Sequence, residues 1–530
     1  MKKTLILGAA LSFVSGMAFA AAVDVGSDLQ VLWDDYIVDT AQTTAARVLH
    51  RPEYAGDVIK HDLPWEGDGC NYHCIFKDGD IYRMYYNGFS IGAYRKQPYP
   101  FKPSGVRICY AESKDGIHWT KPKLGLCEFN GSKENNIVVD KTIHGALDNF
   151  YVFKDPNPDC PKDELYKGIT SYECKWPEDK PLPYGMKRHR RSKIDDGVKR
   201  DNLPFIRGLV IFSSPDPFNF KFNRGITADG AFDTLNIVIW NKYEKRYYCY
   251  CRGYHRVETD RNGDLSVRDI MVTTSDDGKI WTKPKLIDFG PDAEDYALYT
   301  NVVQPYPRND KIWVGFPSRY VERKAWTPNY DRLPGLAERK ERMKRHVRYG
   351  LTLSDTVFMM TRDGKTFQRD DEAFFRPGPQ NRWNWVYGDC YPAAGLLVPT
   401  AEPEGAQDKY SMYFYEGHWM GEAEILKRYT IRQDGFVSRQ APYRGAKVVT
   451  KPLVFTGTEL LINFSTSARG RMFVTVRGED GRMLKSIELF GDQVDRPVDF
   501  EKDELASFAG KSVTLEFEMS DADLYAFRFR

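Results

Sequence analysis

The stretch Ser113-Lys114-Asp115-Gly116-Ile117-His118-Trp119-Thr120-Lys121-Pro122-Lys123-Leu124 returns almost letter for letter as Ser275-Asp276-Asp277-Gly278-Lys279-Ile280-Trp281-Thr282-Lys283-Pro284-Lys285-Leu286. One fold unit is reused. Looser copies extend the series: Ser213-Ser214-Pro215-Asp216-Pro217-Phe218-Asn219-Phe220, Thr361-Arg362-Asp363-Gly364-Lys365-Thr366-Phe367 and Gln433-Asp434-Gly435-Phe436. Each reads as a strand, a tight turn and a second strand. The Asp carboxylate accepts backbone N–H groups in the turn, the Gly takes positive φ, and the second strand carries an aromatic residue. Upstream of the turns lie aromatic strands at residues 81–86, 164–169, 246–251, 311–316 and 410–415. Each of these follows a further strand and polar turn, at 74–79, 150–157, 237–242, 302–307 and 395–400. Four strands in each of five units predict an all-β protein built on a five-bladed β-propeller, its irregular spacing due to insertions within blades.

Residues 1–20 read as a cleavable signal for export, with Lys2-Lys3, an apolar run from Leu5 to Val14, and Ala18 and Ala20 flanking Phe19. The expected location is the periplasm or outside the cell. The apolar run is shorter than the ~20 residues of a membrane span, and no other stretch is long enough, so membrane insertion is not expected. The formal charge of +2 asks for no nucleic-acid or membrane partner. Nine cysteines are scattered without paired metal-ligand spacing. An exported protein permits disulfides, and Cys160 with Cys174 is a candidate bridge, while Cys249 and Cys251 on one strand face read as buried free thiols.

Two charged excursions interrupt the repeat. Residues 176–204 contain Lys187-Arg188-His189-Arg190-Arg191-Ser192-Lys193, and residues 322–348 contain a run from Leu336 to Arg345 that favours a short helix. These loops are either solvated faces or an overhang for an acidic sugar. From about Lys451 the repeat stops, and short alternating strands at 453–455, 459–464, 471–476, 486–490, 513–518 and 524–529 predict a β-sandwich. The expected organisation is a signal at 1–20, the propeller at 21–445 and the sandwich at 446–530.

In a propeller, the innermost strands line a channel and their starts gather at one mouth. Those starts bring Asp68 and His73 in blade one, Asp148 in blade two, Asp233 and Asn236 in blade three, Asp295 and Asn301 in blade four, and Asp389 in blade five. An acid recurs at each. Carboxylates converging among Trp65, Tyr72, Tyr296, Tyr299, Trp385 and Tyr387 suit glycoside hydrolysis, which needs two carboxyls about the scissile bond and aromatic faces for sugar rings. Arg252, Arg319 and His73 are candidates to bind a carboxylated or sulfated sugar or to lower an Asp pKa, and Glu416, beside His418 and Trp419, is a further acid.

The repeat turns, the propeller and the trailing β domain resemble the five-bladed glycoside hydrolases of families 32 and 43, with the layout closest to family 32. In that superfamily, acids at the starts of the first three blades act as nucleophile or base, as transition-state stabiliser in an Arg-Asp-Pro motif, and as general acid. Leu147-Asp148-Asn149-Phe150-Tyr151-Val152-Phe153 stands where that motif would be, so the resemblance implies Asp148 as stabiliser. Blade one lacks the Asn-Asp-Pro-Asn motif and leaves Asp68 as the nearest acid. Blade three lacks Glu-Cys and leaves Asp233. The reading is a secreted glycosidase acting on plant or algal polysaccharide fragments, with Asp68, Asp148 and Asp233 as catalytic candidates and an oligosaccharide, neutral or acidic, as partner. The alternative is a non-catalytic carbohydrate-binding propeller; a lyase or phosphorylase would use extra arginines with a Tyr or His base, or a phosphate-binding Arg/His set. No organic cofactor is implied, and calcium in the channel has no legible ligand loop.

Overall fold

The computed structural model describes residues 22–530 apart from 91–103, 141–145, 191–203, 257–265, 345, 396–397, 401–406, 408 and 503. Five sheets, each of at least four strands, follow one another along the chain. Blade one runs Asn71–Asp78, Ile81–Ser90, Ser104–Ser113 and Trp119–Thr120, with Ile137–Asp140 added on its third strand. Blade two is Ala146–Lys154, Tyr166–Lys175 and Pro204–Ser214, with Lys187–Arg190 and Lys221–Thr227 both paired to the last of these. Blade three is Ile237–Asn241, Arg246–Arg256, Ser266–Ser275 and Lys285–Leu286. Blade four is Gln304–Tyr306, Asn309–Gly315, Met359–Thr361 and Gln368–Arg369. Blade five takes Val398–Thr400, Lys409–Glu416 and Glu424–Arg432, and its outer strand comes from far upstream, Glu53–His61. The five-bladed propeller expected from the repeat is the fold.

The repeated turns form as their chemistry dictates. Asp115 Oδ1 accepts the N–H groups of Ile117 and His118, both at 2.8 Å, and Asp277 Oδ1 those of Lys279 at 2.8 Å and Ile280 at 2.9 Å. Asp216 and Asp363 do the same one turn each. Gly116, Gly278 and Gly364 take φ of 73°, 67° and 71°. The fifth copy is built differently: Asp434 itself adopts φ 59°, and its buried carboxylate turns inward to Arg308 at 2.5 Å and to the Tyr306 hydroxyl.

The same turns join the blades. Tyr85 of blade one donates its hydroxyl to Pro217 O in the turn of blade two at 2.7 Å, and Tyr250 of blade three donates to Gly364 O of blade four at 2.7 Å. Tyr413 of blade five donates to Gly116 O of blade one, closing the ring. An aromatic second strand and an Asp turn therefore recur together because the tyrosine of one blade satisfies a buried turn carbonyl of its neighbour. Between blades two and three an apolar cluster, with Phe153, Ile169, Leu209 and Ile211 against Val238, Tyr247, Cys249 and Trp281, is joined by the Tyr247 hydroxyl, which donates to Asp155 at 2.8 Å, and by Tyr184, which donates to Trp281 O at 2.9 Å.

The excursion at 322–348 is the tip of the central hairpin of blade four. Past Pro317 this hairpin continues as Ser318–Glu322 paired with Thr352–Thr356, and its tip carries the predicted helix, Leu336–Met343. In the first excursion, Lys187–Arg190 forms a strand on blade two, and Arg191 to Lys193 lie outside the described residues.

The second unit differs from its expected bounds. The chain divides into 49–436 and a unit joining the residues up to Val48 with Val437–Arg530. Val23–Gly26, Gln30–Val31 and Ala46–Leu49 pair with C-terminal strands, and the apolar residues Val25, on the first of them, and Leu32, just past the second, join the core built by the C-terminal segment. Two expected pairs of short strands are single long ones, Leu460–Gly478 and Val513–Phe529, bent at register shifts near Phe464 and Thr466. All nine cysteines are free, so Cys160 and Cys174 form no bridge; Cys160 Sγ instead lies 3.0 Å from Lys167 Nζ. Cys249 and Cys251 are buried thiols as read. No helix among the described residues is long and apolar enough to cross a membrane.

Candidate active site

The starts of the inner strands share a backbone device. Tyr72, Asn149, Val302 and Cys390 all have left-handed φ, between 44° and 63°, directly after Asn71, Asp148, Asn301 and Asp389. Such a conformation is costly for non-glycine residues, most of all for β-branched Val302. In blades one and two it coincides with a register shift at Asn71/Cys74 and at Asp148/Tyr151. The residue matching Asp148 in blade one is therefore Asn71, three positions after Asp68. The sequence concealed this because a bulge leaves no compositional mark.

Asp68 is 1% exposed and accepts from Ser90 Oγ at 3.2 Å, with its backbone carbonyl bound by Trp419 N–H. His73 is fully buried, 2.9 Å from His61 and stacked on Tyr86. It belongs to a network below the mouth in which Glu66 accepts from Tyr86 at 2.6 Å and pairs with Lys121 at 2.8 Å. Burial opposes ionisation of Glu66, but His61 and Lys121 outweigh it and hold the carboxyl down at about 2. Asp148 pairs through its backbone with Ser171, while its side chain lies outside the described residues.

Asp233 stands apart from these buried groups, with its side chain 60% exposed. Its loop is pinned from three sides: Arg252 Nε donates to Ala231 O at 2.7 Å, Asn236 Nδ2 to Thr234 O at 2.8 Å, and Thr234 Oγ1 to Tyr299 O at 2.9 Å. Asn236 thus shapes this loop, and Asn301 ties blade four to blade three through Leu235 O and Tyr250 O. Asp233 Oδ2 lies 3.5 Å from both Arg252 Nη2 and the Tyr299 hydroxyl. Burial and the charge of Asp233 push the Tyr299 phenol up to about 12, so at neutral pH it is a hydrogen-bond donor.

Rings line the mouth from several blades. Tyr299 stacks on Tyr320 at 5.5 Å and on Tyr391 at 5.3 Å, Tyr72 meets Tyr391 at 6.4 Å, and Tyr387 stacks on Trp419 at 4.9 Å. Tyr349, from the blade-four excursion, packs edge-on against Tyr387 at 4.9 Å. Tyr320, Tyr349, Arg268 and Arg348 carry no motif that marks them in the sequence. They reach the mouth because second strands end there and third strands begin there, a signal available in the meander order once the blades are drawn.

The remaining candidates are spoken for. Arg319 makes a bidentate pair with Asp355 at 2.8 and 2.7 Å. Asp295 contacts His255 at 2.9 Å, whose other ring nitrogen meets Asp269 at 2.8 Å. Asp389 accepts the N–H groups of Cys390 and Trp385, and burial together with Glu416 pushes its carboxyl well above the usual range. Glu416 pairs with Lys427 at 2.6 Å and lines a separate cavity of about 590 Å³ with Tyr54, Phe375 and Tyr429. Among the described residues no group of three or more His, Cys, Asp or Glu side chains is placed to hold a metal ion.

No protein-family model matches the chain, and no curated protein is significantly similar to it. Solved structures that match include the family 32 β-fructofuranosidase of Bombyx mori, 10% identical over 91% of this chain and 94% of that one, with a TM-score of 0.38. A family 43 arabinoxylan arabinofuranohydrolase from Bacillus subtilis, in complex with cellotetraose, is 10% identical over 93% and 99%, with a TM-score of 0.35. A glycosyl hydrolase from Bacteroides ovatus is 13% identical over 73% and 97%, with a TM-score of 0.36. By its own strand order, the chain is a five-bladed propeller of the kind that the resemblance to families 32 and 43 implies.

Proposed function

We propose that this protein is an exported glycosidase that cleaves glycosidic bonds of plant or algal polysaccharide fragments at the propeller mouth. The observation that carries the reading is Asp233: a solvent-facing carboxylate on a pinned loop, flanked by Arg252 and Tyr299 and bordered by stacked tyrosines. A rigidly held carboxylate beside a ring-shaped aromatic platform is what proton transfer to a bound sugar requires. Asp148, at the start of blade two, is the partner acid of the proposal, and Asp68, being buried, acts through the residues around it rather than on the substrate.

One observation favours a second reading, a non-catalytic sugar-binding propeller: blade one presents Asn71 in the register at which blade two presents Asp148. The test is reducing-sugar release from a panel of neutral, uronic and sulfated oligosaccharides, with Asp148→Asn and Asp233→Asn beside the natural protein. Release that either substitution lowers about a hundredfold or more supports the proposal. Binding without release moves the second reading ahead.

A further inference from the structure

Several part-buried arginines of the propeller are matched to carboxylates: Arg83 to Asp78 at 2.6 Å, Arg107 to Asp140 at 2.9 Å, Arg308 to Asp434 at 2.5 Å and Arg319 to Asp355 at 2.7 Å. Two arginines at the mouth are held differently. Arg252 is 4% exposed, its Nε is used by Ala231 O, its Nη2 reaches Asp233 only at 3.5 Å, and its buried Nη1 has no partner among the described residues. Arg268 has no carboxylate partner there either, and its buried Nε is unpaired.

The two arginines share one face of blade three. Arg252 lies opposite Ile270 and Tyr254 opposite Arg268 on adjacent strands, so the arginines are diagonal neighbours pointing the same way. Both guanidinium groups lie near the Tyr299 ring, Arg252 at 4.9 Å and Arg268 at 5.7 Å from its centre, and Arg268 also covers Tyr320 at 4.3 Å. Aromatic stacking holds such cations flat without consuming their hydrogen bonds. A buried guanidinium N–H left without an acceptor is expensive, and a folded protein tolerates it where a ligand supplies the acceptor. Among the described residues Asp233 is the one carboxylate within 4 Å of either guanidinium, so the patch they form carries a positive excess.

We infer that Arg252 and Arg268 form a subsite for an oxyanion carried on a sugar ring, so that the ligand of the mouth is an acidic oligosaccharide. The inference rests on the mouth being a carbohydrate site. The planar forks receive the anion's oxygens, the ring lies along Tyr299 and Tyr320, and Asp233 at the rim faces the neighbouring glycosidic oxygen. The oxyanion is a uronate carboxylate or a sulfate ester, both of which offer a pair of oxygens to the guanidinium fork.

The test is calorimetric titration of the full chain with uronic oligosaccharides and their methyl esters, and with sulfated oligosaccharides and their desulfated counterparts. The charged member of at least one pair is expected to bind about tenfold or more tightly, an advantage that shrinks between about 0.05 and 0.5 M salt. Whichever pair shows it identifies the anion. Arg268→Gln is expected to erase the advantage, as is Arg252→Lys, which keeps the charge but loses the fork; thermal unfolding checks that each variant is folded, and Arg268→Gln decides alone if the buried position does not tolerate lysine. Equal binding of charged and uncharged partners, no binding of any probe, or an advantage that survives in folded Arg268→Gln overturns the inference. Turnover of neutral sugars without acid preference would sink the subsite and keep the glycosidase, whereas acid-selective binding without turnover would do the reverse.

Discussion

Arg252 Nη2 and Asp233 Oδ2 stand 3.5 Å apart, yet the arginine is 4% exposed and the aspartate side chain 60%. The cation is part of the wall and the anion faces solvent. Under the proposed function, substituting the anion therefore removes chemistry with little effect on the fold. Asp233→Asn is expected to leave thermal stability within about 0.5 kcal/mol of the natural protein while abolishing turnover. Parallel differential scanning calorimetry and reducing-sugar assays check this, and a large loss of stability would make Asp233 a structural residue.

The Glu66 network predicts a pH response. Its folded pKa of about 2 lies below the unperturbed 4.5. The sign follows: the stabilisation is complete above pH 4.5 and is lost as pH falls through about 2. Glu66→Gln strands Lys121 and is expected to cost about 3 kcal/mol at neutral pH while flattening the acid limb of the stability curve. Urea titrations at a series of pH values measure both effects.

Three blade seams carry a tyrosine hydroxyl on a turn carbonyl of the next blade. Tyr250→Phe keeps the ring packed against Trp313 and Phe367 but deprives Gly364 O of its donor. A loss of about 1 to 2 kcal/mol is expected, without a change in the denaturant slope. The turn residue Asp277, lying on the surface, should matter less than buried Asp434, whose replacement by Ala removes the carboxylate that Arg308 and the Tyr306 hydroxyl face and is expected to cost about 3 kcal/mol or more.

The nine free thiols predict that reducing agent leaves the unfolding temperature unchanged. A thiol reagent is expected to titrate all nine after denaturation and, in the native protein, to reach Cys160 and Cys174 ahead of the buried remainder. A shortfall of two after denaturation would reveal a disulfide.

Much of the propeller was legible because its signals are local. An Asp two residues before the N–H it caps, and a Gly at positive φ, act within a span of a few residues, so Asp115, Asp277 and Asp363 announced their turns directly. The fifth turn kept the same letters and behaved differently, since Asp434 answers to Arg308 and Tyr306 from another blade. At the mouth, the sequence order placed Asp233 and Asn236 at the start of blade three and offered Arg252 as a candidate partner. Exposure separated Asp233 from Asn236, Arg252, Asp68, His73 and Asp389, which share its place in the chain but lie beneath the surface.

By itself, the sequence determined the repeat, the count of blades and the turn chemistry, because these depend on backbone conformations and hydrogen bonds made within a few residues. Only the tertiary structure decided that Glu53–His61 closes blade five, that the N-terminal strands belong with the C-terminal unit, and that Arg268, Tyr320 and Tyr349 join the mouth. Those choices depend on which apolar faces are covered and which buried charges are matched across long chain separations, and such pairings carry no fixed spacing for a sequence to display.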